Sequence, residues 1–419
     1  MLPVIRRTIP RRPATRSSRA KTSSARVLVA SDWAPIRAFD PIVRAGPESI
    51  YGDLLPILRR ADVRIVNCEC ALTSSSAPVW KSGAVFKGEP AHVKGLTAVP
   101  FEVACLANNH VLDYGVAGLR ESLRVLHRHG IKTVGAGLTD EQAHAPLTLA
   151  VNGQAIHIVN ISEGEDLTAS QGGPGVFGWD IPRATALVRQ CKEHGGVVIV
   201  IAHAGLEYVP YPPPYVVSTY RAMVDAGADC VIGHHPHVPQ GIEQWRDRPI
   251  VYSLGNFAFY QPTTLLHRKI GFCVSLNCAG GRIAGVELHP YRITDTGLRR
   301  LDAKEEVAFN RNQARLSRPF RTVAGPARAW EAWLAYYGDK GFRAEVLGIL
   351  EKMKTDPRKG AAMFRNRITT VQHTELWRTF LTRVMEGETA KFPAGAYGVV
   401  EEYFSKTISS GCTLCTRNR

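Results

Sequence analysis

The sequence predicts a layered α/β domain followed by a helical region. Two observations lead to this prediction. From residue 26 to about 260, short β-branched runs alternate with stretches whose apolar residues recur every three or four positions. From about residue 319 to 404 the composition becomes rich in Trp, Leu, Arg and Glu, with apolar residues at helical spacing. A chain of 419 residues is long enough for one large domain with an appendage, or for two domains.

The predicted elements follow in chain order. Strands are expected at 26–30, 63–66, 103–106, 156–161, 197–202, 230–232 and 250–253, with helices between them, for example at 116–129 and 184–194. Two further strands, 271–277 and 282–292, are joined through Ala279-Gly280-Gly281, which is typical of a hairpin turn. We therefore divide the chain into a disordered basic leader (1–25), an α/β domain (26–300), a helical appendage (319–405) and a flexible tail (406–419).

The formal charge of +15 raises the question of a polyanionic partner. Eight basic residues precede Asp32, the first acidic residue, which leaves +7 on the rest of the chain. The leader is rich in Arg, Ser and Pro without an apolar stretch, so a solvated tail is favoured over a transit peptide or a nucleic-acid arm. Since no known nucleic-acid-binding motif accompanies the charge, we expect no specific nucleic-acid binding.

Cysteine usage and hydropathy bear on the compartment. The nine cysteines lie mostly in or beside apolar runs, which indicates buried thiols in a reducing environment. Cys412 and Cys415 have the spacing of half a zinc site or a redox pair, but no second pair accompanies them. No apolar run approaches the length of about 18 residues that a membrane helix needs. We expect a cytoplasmic protein with no transmembrane segment.

Polar residues that can bind metal ions follow one predicted strand after another. In open α/β sheets, ligands bind beyond the carboxyl ends of the strands, so residues distant in sequence can converge. Taken singly, Asp32, Asn67 and Asn256 are better explained as core or turn residues. The whole set predicts a metal-dependent site. It consists of Asp32, Asn67, Glu69, Asn108, Asn109, His110, Asp113, His203, Glu207, His234, His235, His237 and Asn256.

The strongest single signal is Gly233–His237, which reads GHHPH. Two imidazoles separated by one residue, on a loop held by proline, can face one ion, and imidazole suits zinc, iron and manganese. The alternative is a surface loop that is rich in histidine.

A second signal is Leu106–Gly115, which reads LANNHVLDYG. The amide oxygen of Asn109 can bind a metal ion, while His110 can protonate a leaving group and Asp113 can orient its imidazole. The alternative is an Asn-rich turn that caps a helix. A weaker third signal is His203 with Glu207, where the histidine can be a ligand and the glutamate a supporting acceptor or a substrate contact.

Taken in order, these motifs resemble the CapA family of poly-γ-glutamate capsule biosynthesis proteins, whose members have a calcineurin-like metallophosphatase fold. The resemblance covers about residues 27–290. It is carried by Val66–Glu69, Leu106–Gly115, Gly135–Gly137, His203–Tyr208, Asp225–Asp229, Gly233–His237 with Gly241–Glu243, and Tyr252–Phe257. It implies a four-layer α-β-β-α sandwich with a metal-site crevice at one edge.

The resemblance also implies roles for individual residues. One or two divalent ions (Mn, Zn or Fe) are expected to be bound by Asp32, Glu69, Asn109, His203, His235 and His237. Glu69 takes the bridging position, His110 with Asp113 the acid position, and substrate contacts are expected from Asn67, Glu207, His234 and Asn256. Catalytic metallophosphatases usually have Asp-x-His in the first motif. Ala34 replaces that histidine here, so one expected ligand is missing.

Two functions follow as hypotheses. The first is a metal-dependent hydrolase that acts on a phosphoester or a polyanionic substrate, small molecule or polymer, in the biosynthesis of a capsule or poly-γ-glutamate-type polymer. The second is a non-catalytic assembly or binding subunit of a polymer-synthesis complex, which the missing histidine and the helical appendage favour. The ensemble of ligand-type residues favours the enzyme.

Overall fold

The computed structural model describes residues 24–163, 173–387 and 392–408. It confirms a mixed α/β architecture with a helical C-terminal region. Residues 1–23 of the leader and residues 409–419, with Cys412 and Cys415, lie outside the described residues, and the division into domains stays a prediction. No helix in the described part of the chain combines the length and apolarity needed to cross a bilayer.

The strands and helices are numbered in chain order. The strands are β1 Ser24–Ala34, β2 Val63–Cys68, β3 Ala71–Leu72, β4 Lys87–Gly88, β5 Val103–Cys105, β6 Lys132–Val134, β7 Ala136–Gly137, β8 Leu147–Val151, β9 Gln154–Ser162, β10 Gly175–Val176, β11 Val197–His203, β12 Cys230–His234, β13 Ile242–Trp245, β14 Arg248–Val251, β15 Asn256–Phe259, β16 Ile270–Ala279, β17 Arg282–Ile293 and β18 Leu298–Arg300. The α-helices are α1 Phe39–Ala45, α2 Leu55–Arg59, α3 Val93–Ala98, α4 Gly115–Arg128, α5 Asp140–His144, α6 Ile181–Glu193, α7 Pro214–Asp225, α8 Ala303–Ser317, α9 Gly325–Thr355, α10 Pro357–Thr369, α11 Val371–Glu386 and α12 Ala394–Ser405.

Two large sheets form the centre of the molecule. The first has the order β18-β17-β16-β1-β2-β5-β6, with β15 also paired to β1, and the second has the order β13-β14-β12-β11-β9-β8. Strands β1, β2, β5 and β6 run parallel in the first sheet, as do β9, β11, β12 and β14 in the second. The carboxyl ends of parallel strands meet at one edge of each sheet. The predicted site residues lie at these strand ends or directly after them.

The two sheets pack face to face, and helices cover their outer faces. Alternate residues of a strand point to opposite faces, so Val27 and Ile199 enter the apolar cluster between the sheets. Leu28 enters the outer cluster with α1 to α4, and Val200 enters the cluster with α6 and α7. These layers are the α-β-β-α arrangement that the family resemblance implies.

The helical region begins earlier than the composition predicts. Helix α8 starts at Ala303, after a capping box in which Asp302 and Glu305 satisfy each other's backbone N–H groups. The later helices share an apolar cluster with Leu206 and Val238, which lie in the loops after β11 and β12. The helices therefore pack directly on the loops that carry the predicted ligands.

Candidate metal centre

Side chains from both sheets meet in one buried cluster at the strand ends. Asp32 lies at the end of β1, beside Asn67 of β2 and Asn256 of β15. From the second sheet, His234 at the end of β12 approaches it, with 3.3 Å between His234 Nδ1 and Asp32 Oδ1. His203 at the end of β11 lies 3.4 Å from Glu69, measured from Nε2 to Oε1. The convergence that the strand-end pattern predicts is therefore present.

Within this cluster, two groups of three side chains have the geometry to hold a metal ion. One group is Glu69, His203 and His235, and the other is Asp32, Glu69 and His237. In each group the ligand atoms all lie within 4.8 Å of one another, and all five side chains are buried. Glu69 belongs to both groups, so its carboxylate would be available to an ion held by either one. The second group reaches three ligands although Ala34 replaces the first-motif histidine.

The chemistry of these side chains fits a divalent cation. Asp32 Oδ2 and both carboxylate oxygens of Glu69 are buried and have no hydrogen-bond partner among the described residues. A buried carboxylate without donors costs several kcal/mol unless a cation or a proton compensates it. Carboxylate oxygen together with imidazole nitrogen is a donor set that zinc, iron and manganese accept.

The electrostatics of the cluster are those of a buried, negatively charged centre. Burial, reinforced by the charge of Asp32, raises the pKa of Glu69. Burial opposes protonation of His237, yet the charges of Glu69, Glu207 and Asp32 outweigh it and raise its pKa to about 10. For Glu207 burial is outweighed by the neighbouring histidines, which lower its pKa. A bound cation would offset this excess of negative charge.

The backbone of the GHHPH loop turns both predicted ligand histidines, His235 and His237, toward the cluster. His235 has φ 94° and His237 has φ 55°, values that non-glycine residues seldom adopt. Such conformations cost about 1–3 kcal/mol each and persist where the surrounding structure enforces them. Here they place the His235 imidazole in the first ligand group and the His237 imidazole in the second.

The predicted acid position has the expected geometry. His110 Nδ1 lies 2.7 Å from Asp113 Oδ2, and Asp113 Oδ1 accepts a hydrogen bond of 2.9 Å from Lys81 Nζ. Asn109 Oδ1 lies 2.9 Å from His203 Nε2, beside the first ligand group. Lys81 was not identified in the sequence because it lies in the irregular loop between β3 and β4, without a recognisable motif. The roles of these residues remain predictions.

The four predicted substrate contacts fall into two kinds. Asn67 Nδ2 donates to Asp32 Oδ1 at 2.8 Å, and Asn256 Oδ1 lies 2.8 Å from His237 Nδ1. Asn67, Asn256 and His234 are all buried and contact predicted ligand side chains. This geometry favours a role in which they orient the predicted ligands. Glu207 instead lines the cavities beside the centre. Substrate contact stays a prediction for all four.

Two cavities open beside the centre. One, of about 280 Å³, is lined by Asn109, His110, His237, Arg37 and Arg268 among others. The other, of about 290 Å³, lies between the centre and the helical region, and its walls include His235, Gln372 and His373. Gly83, Glu207 and Tyr208 line both cavities. A substrate therefore has room on each side of the predicted ligands.

The helical region reaches the centre through two side chains that the sequence pattern did not identify. Gln372, at the start of α11, places its Oε1 3.3 Å from His235 Nε2. Lys359 of α10 donates from Nζ to the carbonyl oxygens of Lys81 and Gly83, at 3.0 and 2.7 Å. The helices thus contact the predicted ligand His235 and the loop that carries Lys81.

Glu163 holds the start of α11 against the loop after β11, and replacing Glu163 by glutamine should weaken this contact. Its carboxylate accepts hydrogen bonds from Gly205 N (3.0 Å), the Tyr215 hydroxyl (2.5 Å) and Gln372 N (2.6 Å). In Glu163→Gln the side-chain NH₂ group would replace one of the two accepting oxygens and would face an N–H or O–H donor. We therefore expect the free energy of unfolding to fall by about 1–3 kcal/mol. Urea unfolding measures the change. Glu193→Gln, on an exposed helix face, is the matched control, and equal loss in both variants would contradict the anchoring role.

The fold and the site define a class: a four-layer α/β protein with a candidate two-ion centre at the strand ends. The sequence matches the family described as bacterial capsule synthesis protein PGA_cap over residues 16–261. The match covers more than half of the chain, and the protein belongs to this family. The CapA resemblance found in the sequence is thereby confirmed.

Curated relatives support the same assignment. The chain is 34% identical to the PGA biosynthesis protein CapA of Bacillus subtilis (strain 168) over 223 residues, 52% of this chain and 59% of that protein. It is 28% identical to a probable polyglutamine synthesis accessory protein of Mycobacterium tuberculosis over 304 residues, 66% of this chain and 79% of the relative. The capsule biosynthesis protein CapA of Bacillus anthracis is 32% identical over 178 residues, 41% of this chain and 43% of the relative.

Solved structures show a weaker likeness. A hypothetical protein from Thermus thermophilus gives a TM-score of 0.43 at 18% identity, covering 64% of this chain and 100% of that one. The sulfate thiohydrolase SoxB of the same organism, in complex with glycerol, gives 0.39 at 14% identity, covering 69% and 60%. Nothing about function follows from likeness at this level.

Proposed function

We propose that this protein is a metal-dependent phosphoester hydrolase that acts on an anionic substrate in the synthesis of a capsule-type polymer. The observation that carries the proposal is the Glu69 carboxylate, which is buried, has no hydrogen-bond donor among the described residues and belongs to both ligand groups. Membership of the capsule synthesis family supports the polymer context. The net charge of +7 on residues 32–419 agrees with an anionic substrate.

The chain supplies the groups that such a reaction needs. When bound, divalent ions would activate a water molecule and neutralise charge on the phosphoryl oxygens. His110 lines the cavity beside Asn109 and His237, so its imidazolium can protonate the departing oxygen. Asp113 accepts from His110 Nδ1, which leaves the second proton on Nε2 for transfer. Lys81 holds Asp113 in place for this contact.

Metal content of single variants tests the two-ion arrangement. We expect about two equivalents of manganese, zinc or iron in the wild type, and about one in His235→Ala and in His237→Ala, because each histidine belongs to one ligand group only. Elemental analysis of purified protein gives the count, and hydrolysis of bis-p-nitrophenyl phosphate gives the activity. His194→Ala, exposed at the end of α6, is the control. A wild type without metal, with unchanged activity in both variants, overturns the proposal.

The second candidate is a non-catalytic assembly or binding subunit of a polymer-synthesis complex. Two observations favour it: Ala34 stands where a ligand histidine is usual, and Gln372 from the helical region contacts His235. Under this alternative a broad phosphodiesterase screen with manganese stays silent, and a partner co-purifies stably with the full chain. Manganese-dependent turnover that is lost in His237→Ala decides for the hydrolase.

A further inference from the structure

Two arginines line the cavity of about 280 Å³ beside His110, and neither belongs to the predicted ligand or acid sets. Arg37 lies in the loop after β1, and Arg268 lies in the segment before β16. They come from opposite ends of the α/β region in sequence, yet they line the same cavity. Arginine is the side chain best suited to recognise carboxylate and phosphate groups through paired N–H donors.

An aromatic ring lies between each arginine and a histidine of the site. The Arg268 guanidinium carbon is 3.6 Å from the ring centre of Tyr208, which is 5.9 Å from the ring centre of His237. On the other side, the Arg37 guanidinium carbon lies 5.4 Å from the ring centre of Phe86, which is 4.3 Å from that of His110. The two guanidinium groups thus lie close to the predicted reacting centre but outside its ligand set.

The Arg268 guanidinium is available for an external anion. It is half-buried against Tyr208, yet it has no side-chain hydrogen bond and no ion pair with any described residue, and its Nε is buried without an acceptor. Burial lowers the pKa of Arg268, although Tyr208 and Glu207 oppose this shift electrostatically without forming an ion pair with it. A half-buried guanidinium in a cavity requires an acceptor from solvent or from a ligand.

Arg37 contributes a second cation in a constrained position. Its φ of 57° lies in the left-handed region, which costs a non-glycine residue free energy and tends to be retained at functional sites. One of its terminal nitrogens, Nη1, donates to the carbonyl oxygen of Tyr260 at 2.9 Å, and the side chain is otherwise exposed at the cavity. The hydrogen bond fixes the direction of the guanidinium group.

We propose that Arg37 and Arg268 form a subsite that binds a second acidic group of the substrate, a carboxylate or a phosphate, beside the group that reacts. This inference rests on the proposed function and specifies its substrate class: an extended molecule with at least two anionic groups. Both arginines act as specificity-determining residues, since they would hold the part of the substrate that does not react.

Non-hydrolysable phosphonates test the subsite by binding, without any turnover. The probes are butylphosphonate, with one acidic group, and two analogues of similar length, 4-phosphonobutyrate and propane-1,3-diphosphonate, which add a carboxylate or a phosphonate. Calorimetric titration of the full chain with manganese should show an advantage of at least about tenfold for one or both two-acid probes. The better of the two identifies the acidic group that the subsite takes.

The variants separate the subsite from the metal centre. In Arg268→Gln and Arg37→Gln the two-acid advantage should shrink to about threefold or less, while the affinity for butylphosphonate stays unchanged. Arg128→Gln, which removes the same charge at the far end of α4, should keep the full advantage. A wild type with no two-acid advantage, or variants that retain it, overturns the subsite. Failure of the proposed function is a different result: butylphosphonate binding that does not depend on manganese.

Discussion

Replacing Glu69 by glutamine is expected to remove metal binding from both ligand groups at once. Each histidine ligand serves a single group, whereas the Glu69 carboxylate is common to the two, and an amide offers only one neutral acceptor oxygen. Loss of a supporting contact around a metal typically costs 10–100-fold in affinity, so loss of a shared ligand should cost at least about 100-fold. Elemental analysis and manganese titration measure the change.

Thermal unfolding gives a second and independent signature of the same variant. Without metal, Glu69 is a buried carboxylate beside Asp32 that has no hydrogen-bond donor among the described residues. Glu69→Gln should therefore be at least as stable as the metal-free wild type, because the variant no longer buries a carboxylate beside Asp32. Added manganese should raise the melting temperature of the wild type and leave that of Glu69→Gln unchanged. An equal rise in both proteins would show that Glu69 is not a ligand.

The second large effect is expected at His110, and its size should depend on the leaving group. A general acid contributes about 100- to 10,000-fold where the departing oxygen is a poor leaving group. His110→Asn should therefore lose that factor in kcat on an alkyl phosphodiester. On bis-p-nitrophenyl phosphate, whose leaving group departs without protonation, the loss should be small. Metal content should not change, since neither ligand group includes His110.

Asp113→Asn is expected to have a smaller effect of the same kind as His110→Asn. It keeps the shape of the side chain that lies 2.7 Å from His110 Nδ1 but removes its negative charge. A smaller loss, about 10–100-fold, with the same dependence on the leaving group is expected for such a supporting contact. Equal losses on both substrates, for either variant, would assign His110 to binding and not to proton transfer.

Much of the fold was predictable because strands and helices leave local periodic patterns. The run at 197–202 was predicted as a strand and is β11, and the stretch 116–129 was predicted as a helix and is α4 with a shift of one residue at each end. Two-residue strands such as β3 and β10 were not predicted, since two residues cannot show an alternation. Helix α8 was also missed, because its start at Ala303 is set by a capping box before the composition becomes helical.

The order of the motifs was a property of the sequence alone, and it was sufficient to find the family and the ligand-type residues. The three histidines of Gly233–His237 and the Asn-Asn-His run each lie within five residues, so they are visible without a structure. Other features required the tertiary structure. The sharing of Glu69 between two groups, the contact of Gln372 with His235 and the placing of Arg268 over Tyr208 each join distant segments. Contacts of this kind leave no spacing pattern in the chain, because they depend on how the two sheets and the helical region pack against one another.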